Sequence, residues 1–230
     1  MAAKEARAAC DEPCLLFFTF GNHVAEFNSS AKLAAMFESF GIFSFLLASI
    51  GLMIFGLDSW DQRALAGIQR IKKKHPALTL SAQLFSWTPF SVFMLFILPA
   101  SLWWMLGSEV ETLALFLSCT IAVGSAFIVK FVFHRARPGG RLTRYGELDS
   151  SFPSAHTAGP FAAAIIIADV LPGVVIFALC FATAVAASRV WLELHFVSDI
   201  GGGLLLAYVA TWLVTQTELL PTAISFLGLI

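Results

Sequence analysis

The chain has 230 residues, of which 58% are hydrophobic and only 13% charged, with a mean hydropathy of +0.83. A soluble domain carries about 25% charged residues, so this composition excludes a cytosolic enzyme and a disordered chain. The formal net charge of −1, from 14 Lys+Arg against 15 Asp+Glu, offers no basic field for nucleic acid. The expected fold is an all-α polytopic membrane protein.

The first 14 residues lack a charged start followed by a long apolar core, so no signal peptide is expected. Cys10 and Cys14 stand four apart in this polar tail with no second ligand pair and read as free thiols; Cys119 and Cys180 fall inside apolar runs. Leu15 to Phe37 is expected to lie as an interfacial helix. Asn28-Ser29-Ser30 matches a glycosylation sequon, a weak signal when it stands alone.

A spanning helix needs about 20 mostly apolar residues. Ser39 to Leu57 is the first such run, followed by a polar stretch from Asp58 with Arg63, Arg70 and Lys72-Lys73-Lys74. Pro89 to Leu106 and Thr112 to Phe133 make the second and third spans, and a loop with Arg135, Arg137, Arg141 and Arg144 leads on to Pro153. The fourth, Ser154 to Asp169, is short and counts as a span by its context. Pro172 to Ser188 and Ile200 to Thr217 complete six transmembrane helices. The expected organisation is a tail over 1–38, a six-helix membrane domain over 39–217 and a C-terminal tail over 218–230. Six crossings put both termini on one side, so Lys130–Pro153 and Ser188–Asp199 meet at the opposite membrane face.

Charge at the edge of a membrane bundle is costly and points to function. Lys130 and Arg137 are seven apart, nearly two helical turns, and Pro138 stops the helix just after them. Alone, the pair reads equally as a stop-transfer anchor of cations reaching for head groups. Pro153 suits a first helical turn, so Ser151-Phe152-Pro153-Ser154-Ala155-His156 places free N–H groups and the Ser154 hydroxyl at a helix start suited to an anion. His156 stands just inside, able to exchange a proton with a bound group; an ordinary cap with a satisfied histidine is the plainer reading. In the third cluster, His195 and Asp199 stand four apart, a spacing that lets the carboxylate set the ring tautomer and leaves one nitrogen free as nucleophile or base. A structural His–Asp pair is the alternative. Arg189 stands six before His195, in poor helical registry, so a break between spans five and six is expected to bring them together.

Together these residues suit phosphoryl transfer: cations for the equatorial oxygens, a nucleophile, and an acid for the leaving oxygen. No His, Cys or carboxylate set has metal-ligand spacing, so no cofactor or metal is expected and Lys130, Arg137 and Arg189 would balance the charge.

The three clusters resemble the tripartite signature of the type 2 phosphatidic acid phosphatase superfamily: Lys130…Arg137-Pro138, Pro153-Ser154-Ala155-His156, and Ser188-Arg189…His195…Asp199. The resemblance implies that His195 attacks phosphorus to form a phosphohistidine, that Asp199 orients it, and that His156 protonates the leaving oxygen and then activates water. Lys130, Arg137, Ser154 and Arg189, with the backbone N–H near Ala155, would hold the phosphoryl oxygens. Ala155 departs from the common pattern, which has glycine there. The short link from Pro138 to Pro153 suits a site opening sideways to lipid, as in bacterial members.

The expected activity is hydrolysis of a lipid or polyprenyl phosphate, such as undecaprenyl pyrophosphate, phosphatidylglycerol phosphate, phosphatidic acid or a lipid A phosphate. Arg135, Arg141 and Arg144 are expected to face that substrate. A lipid phosphotransferase using the same phosphohistidine, a sugar-phosphate phosphatase and a non-catalytic lipid-binding protein are the alternatives. Oligomeric state is not legible. On sidedness two signals conflict. The catalytic face holds 11 of the 14 Lys+Arg, which by the positive-inside rule places it in the cytoplasm. The resemblance implies an extracytoplasmic site in a bacterial inner membrane, and that orientation is preferred because charges kept for ligand contact are weak topology signals.

Overall fold

The structure, a computed structural model, describes residues 57–138, 150–217 and 219–227. The expected interfacial helix over 15–37, the first span up to residue 56, and Arg141 and Arg144 lie outside the described residues. Every regular element among the described residues is helical.

Helix α1 covers residues 57–74 and ends where His75-Pro76 breaks the register, since the residue before a proline avoids the helical region. Helix α2 is Ala77–Ser86. Helix α3, Thr88–Met105, carries Pro89 in its first turn, where the missing N–H costs nothing. A π-helical turn over Phe93–Ile97 sits immediately before Pro99. The proline ring cannot donate to the carbonyl four residues back and crowds it, and the wider turn relieves that conflict.

Helix α4, Glu109–Phe133, starts with Glu109 and Glu111 in its first turn and ends with Lys130 in its last, in accord with the helix dipole. Its 25 residues reach about 37 Å, enough to cross a hydrocarbon core of about 30 Å. Helix α5 is Ala155–Val170, α6 is Val175–Trp191 after a 3₁₀ turn at Pro172–Val174, and α7 is Val197–Gln216. Four helices, Thr88–Met105, Glu109–Phe133, Pro172–Trp191 and Val197–Gln216, are long and apolar enough to span a membrane. The protein is therefore an integral membrane protein. The expected count of six is not reached among the described residues: the first span lies outside them, and α5 has only 16 residues.

That short helix is nevertheless the centre of the bundle. Helix α5 packs on α4, α6 and α7 at once. Ala158, Gly159, Ala162, Ala163 and Ala164 are buried on it, and such small side chains let neighbouring backbones approach closely. Leu115, Ile166, Ile167, Ala182 and Val185 fill the core on one side of α5; Ala122, Ala126, Leu206 and Ala207 fill it on the other. The expected C-terminal tail instead contains a helix, α8, Leu219–Leu227. Leu220 and Ile224, one turn apart, bury it against Ala114 and Val214.

Candidate active site

The C-terminal ends of α4 and α6, the segments that follow them, and the N-terminal ends of α5 and α7 hold the predicted site residues that are described. Helix α4 stops at His134, which takes the left-handed conformation (φ 40°) and turns the chain into the segment carrying Arg135 and Arg137. Lys130 in the last turn is buried, and its ammonium donates to the Ser150 carbonyl. Arg137 donates to the Leu194 carbonyl at 3.1 Å.

After Trp191 the chain makes the break expected from the Arg189–His195 spacing. Glu193 takes a left-handed φ of 59°, and the N–H groups of Leu194 and His195 return to the Arg189 carbonyl at 2.9 and 3.3 Å. The Glu193 carboxylate accepts from Lys72 at 2.8 Å and Gln69 at 3.0 Å, tying this turn to α1. Arg189 itself is buried; it donates to the Ser86 hydroxyl and carbonyl, and its Nε has no partner.

His195 is 1% exposed, and its Nδ1–H donates to the Ser151 carbonyl at 2.7 Å, with Asp199 Oδ2 at 3.5 Å. The Nδ1–H tautomer follows, with the lone pair on Nε2. His195 precedes α7 rather than lying on it, so the His–Asp contact is not one between two helical turns. Asp199 stands in the first turn of α7, and its Oδ2 accepts the Phe196 N–H at 2.7 Å. Burial is the largest influence on the His195 ring and pushes it down to about 4. Asp199 pulls it partly back up, while Arg189 and Arg137 push it lower.

His156 lies within electrostatic reach of Arg189, His195, Arg137 and Lys130, and its Nε2 shares a hydrogen bond of 2.8 Å with the Thr88 hydroxyl. Ser154 sits before α5 in extended conformation; its N–H donates to the Asp199 carbonyl at 3.1 Å, and its hydroxyl is buried with no partner. The first N–H groups of α5 have no acceptor within the helix by geometry. Ala155, partly buried, packs against the apolar cluster that includes Ala158, Ala162 and Leu206. Gly202 and Gly203 permit this close approach of α5 to α7. A Cβ on Gly203 would come within 2.6 Å of the Ser154 carbonyl oxygen and 2.8 Å of Thr157 Cβ.

Arg135, expected to face substrate, makes its bonds to protein groups. Its Nη1 donates to Asp199 Oδ1 at 2.8 Å and Ser198 Oγ at 2.6 Å, its Nη2 to Asp58 and Asp61 at 2.7 and 2.8 Å. The guanidinium also lies 4.4 Å from the centre of the Phe196 ring. Burial works against that charge, but the Asp199 field and the Asp61 and Asp58 hydrogen bonds outweigh it and hold its pKa above the ordinary value. The sequence reading missed Ser86, Thr88, Ser150 and Asp61, and placed Ser151 at the helix start without the role of its carbonyl. Thr88 and Ser86 flank the Trp87 break beside a span, the single local hint; the others contribute through contacts that no spacing encodes.

Residues 111–220 match the family model of the PAP2 superfamily. The fold is similar to the crystal structure of a transmembrane PAP2-type phosphatidylglycerolphosphate phosphatase from Bacillus subtilis. That match has a TM-score of 0.57 at 22% identity and covers 77% of this chain and 94% of the other. Comparison with curated proteins returned no match.

Proposed function

Because residues 111–220 match the PAP2 superfamily model, we propose that the chain is a membrane phosphatase that removes phosphate from a phosphorylated lipid through a phosphohistidine at His195. The observation that carries this reading is the buried neutral His195, its Nδ1 proton engaged by a carbonyl and its Nε2 lone pair left over, within electrostatic reach of Arg189 and Arg137. In the first step Nε2 forms a bond to phosphorus as the bond to the leaving oxygen breaks, and His156 gives that oxygen its proton. In the second, water attacks phosphorus, His156 takes the proton, and the P–N bond returns its electrons to Nε2. Lys130, Arg137, Arg189, the Ser154 hydroxyl and the Ala155 N–H would neutralise the equatorial oxygens, where most of the transition-state charge develops.

A lipid monophosphate is favoured over a soluble one, since the relative of known structure acts on phosphatidylglycerolphosphate and the site stands at the end of membrane-crossing helices. The active face is read as extracytoplasmic, in a bacterial inner membrane. Lys72, Lys130, Arg135, Arg137 and Arg189 each bond to protein groups, which supports discounting them as topology signals.

The test is phosphate release by the detergent-purified protein in the presence of EDTA. The panel holds phosphatidylglycerol phosphate, phosphatidic acid, undecaprenyl pyrophosphate and a lipid A phosphate. His195→Ala is expected to lose turnover by at least about 10⁴-fold, the scale seen when a nucleophile is removed. Near-normal turnover in that variant would sink the phosphohistidine mechanism.

A further inference from the structure

We infer that Arg135 and Asp61 are positioning residues for His195, closing a ring of hydrogen bonds that holds both the Ser151 carbonyl and the Asp199 carboxylate against its Nδ1. This rests on the reading of His195 as the nucleophile.

The ring runs through Arg135 twice. By its backbone, the Arg135 carbonyl accepts the Ser151 N–H at 2.7 Å, and the Ser151 carbonyl accepts His195 Nδ1–H at 2.7 Å. By its side chain, Nη1 donates at 2.8 Å to Asp199 Oδ1, whose other oxygen stands 3.5 Å from the same Nδ1. The Arg135 N–H further donates to the Ser150 hydroxyl at 2.9 Å, next to the carbonyl that receives Lys130. One residue thus sets both groups that face the ring nitrogen opposite the attacking one.

Asp61 anchors that residue from α1. Its side chain is fully buried; Oδ2 accepts from Arg135 Nη2 at 2.8 Å and from the Ser198 hydroxyl, and Oδ1 accepts the Ser198 N–H at 3.2 Å. Asp61 therefore grips the guanidinium and the residue beside Asp199 together. The planar fork spans Asp61 and Asp199 in a way a lysine ammonium does not. Without the guanidinium, two buried carboxylates would lack a counter-charge, and one would take up a proton or swing away. A cluster serving stability alone has no need to include the nucleophile's own partners.

The experiment measures kcat and KM for phosphate release from phosphatidylglycerol phosphate and phosphatidic acid in micelles. The variants are Arg135→Met, Arg135→Lys, Asp61→Asn and Asp199→Asn, the double variant Arg135→Met with Asp199→Asn, and His195→Ala. Arg135→Met is expected to lower kcat about 10²-fold, the scale of a misplaced reacting group, with KM changed less than about twofold. Arg135→Lys should recover part of that loss, and Asp61→Asn should lower kcat about tenfold through a loosened guanidinium. In the Asp199→Asn background, Arg135→Met should cost less than about threefold, because the ring is already open. Undiminished losses in the double variant, or normal kcat in folded Asp61→Asn and Arg135→Lys, would overturn the positioning role. If Arg135→Met does not fold, Asp61→Asn and Arg135→Lys decide. Turnover that survives His195→Ala would instead overturn the nucleophile assignment on which the proposal stands.

Discussion

The two ends of the α4–α7 bundle are both buried, and they are buried with opposite chemistry. At one end, Asp61, Lys130, Ser154, Arg189, His195 and Asp199 are each less than a tenth exposed. At the other, α8 folds back so that Leu220 and Ile224 meet Ala114 and Val214 in an apolar cluster, with the Glu111 carboxylate partly buried nearby. Removing a charge from water costs several kcal/mol even when it is paired. A fold needing only stability would close both ends as it closes the second. The charges of the polar end are sustained because Arg135 stands among the carboxylates and backbone carbonyls receive Lys130, Arg137 and Arg189.

The sharpest way to break the contrast is at Gly203, where α7 lets Ser154 approach. Gly203→Val is expected to cut kcat about 10²-fold, since its side chain would displace the Ser154 backbone. Gly201, two residues earlier on another face of α7 and with open space where a Cβ would stand, is the control. Gly201→Ala should leave kcat within about twofold and raise stability slightly. Comparable loss in both variants would mean that close packing is not what shapes the polar end.

Next in size is the protonation of His195. The ring should stay neutral well below the ordinary histidine pKa of about 6.5 and take its proton near pH 4, because burial and the Arg189 and Arg137 charges disfavour the imidazolium. Its folded pKa lies below the unfolded one, so stability present at neutral pH is lost as pH falls from the unfolded value towards the folded one. A histidine NMR titration in detergent, with His195 assigned by its loss in His195→Ala, reads this directly. Titration near the ordinary value would show a water-filled site.

At the apolar end the effect should be smaller and confined to stability. Ile224→Ala is expected to cost about 2 kcal/mol, measured as a lowered unfolding midpoint, with kcat within about twofold. A large fall in kcat would show that the two ends are coupled.

Much of this was legible along the chain. Hydropathy is a property of contiguous residues, so four of the expected spans, including α4 and α7, match long apolar helices to within a few positions, while α5 is too short to count among them. The three clusters were legible because each is short and its spacing implies a shared face or a helix start. The role of Arg135 was not. It stands two residues from Arg137, in the same basic run, and nothing local separates a cation held by carboxylates from one held by a backbone carbonyl. Its partner Asp61 comes 74 residues earlier, in a stretch that reads as an ordinary polar loop. The sequence by itself determined which stretches form long apolar helices and which polar residues gather at their ends, because both follow from composition and short-range spacing. The tertiary structure alone decided which arginine serves the fold, which carbonyl sets the His195 tautomer, and how a 16-residue helix becomes the centre of the bundle. Those outcomes depend on contacts between distant segments, whose energy exists only once the helices have packed.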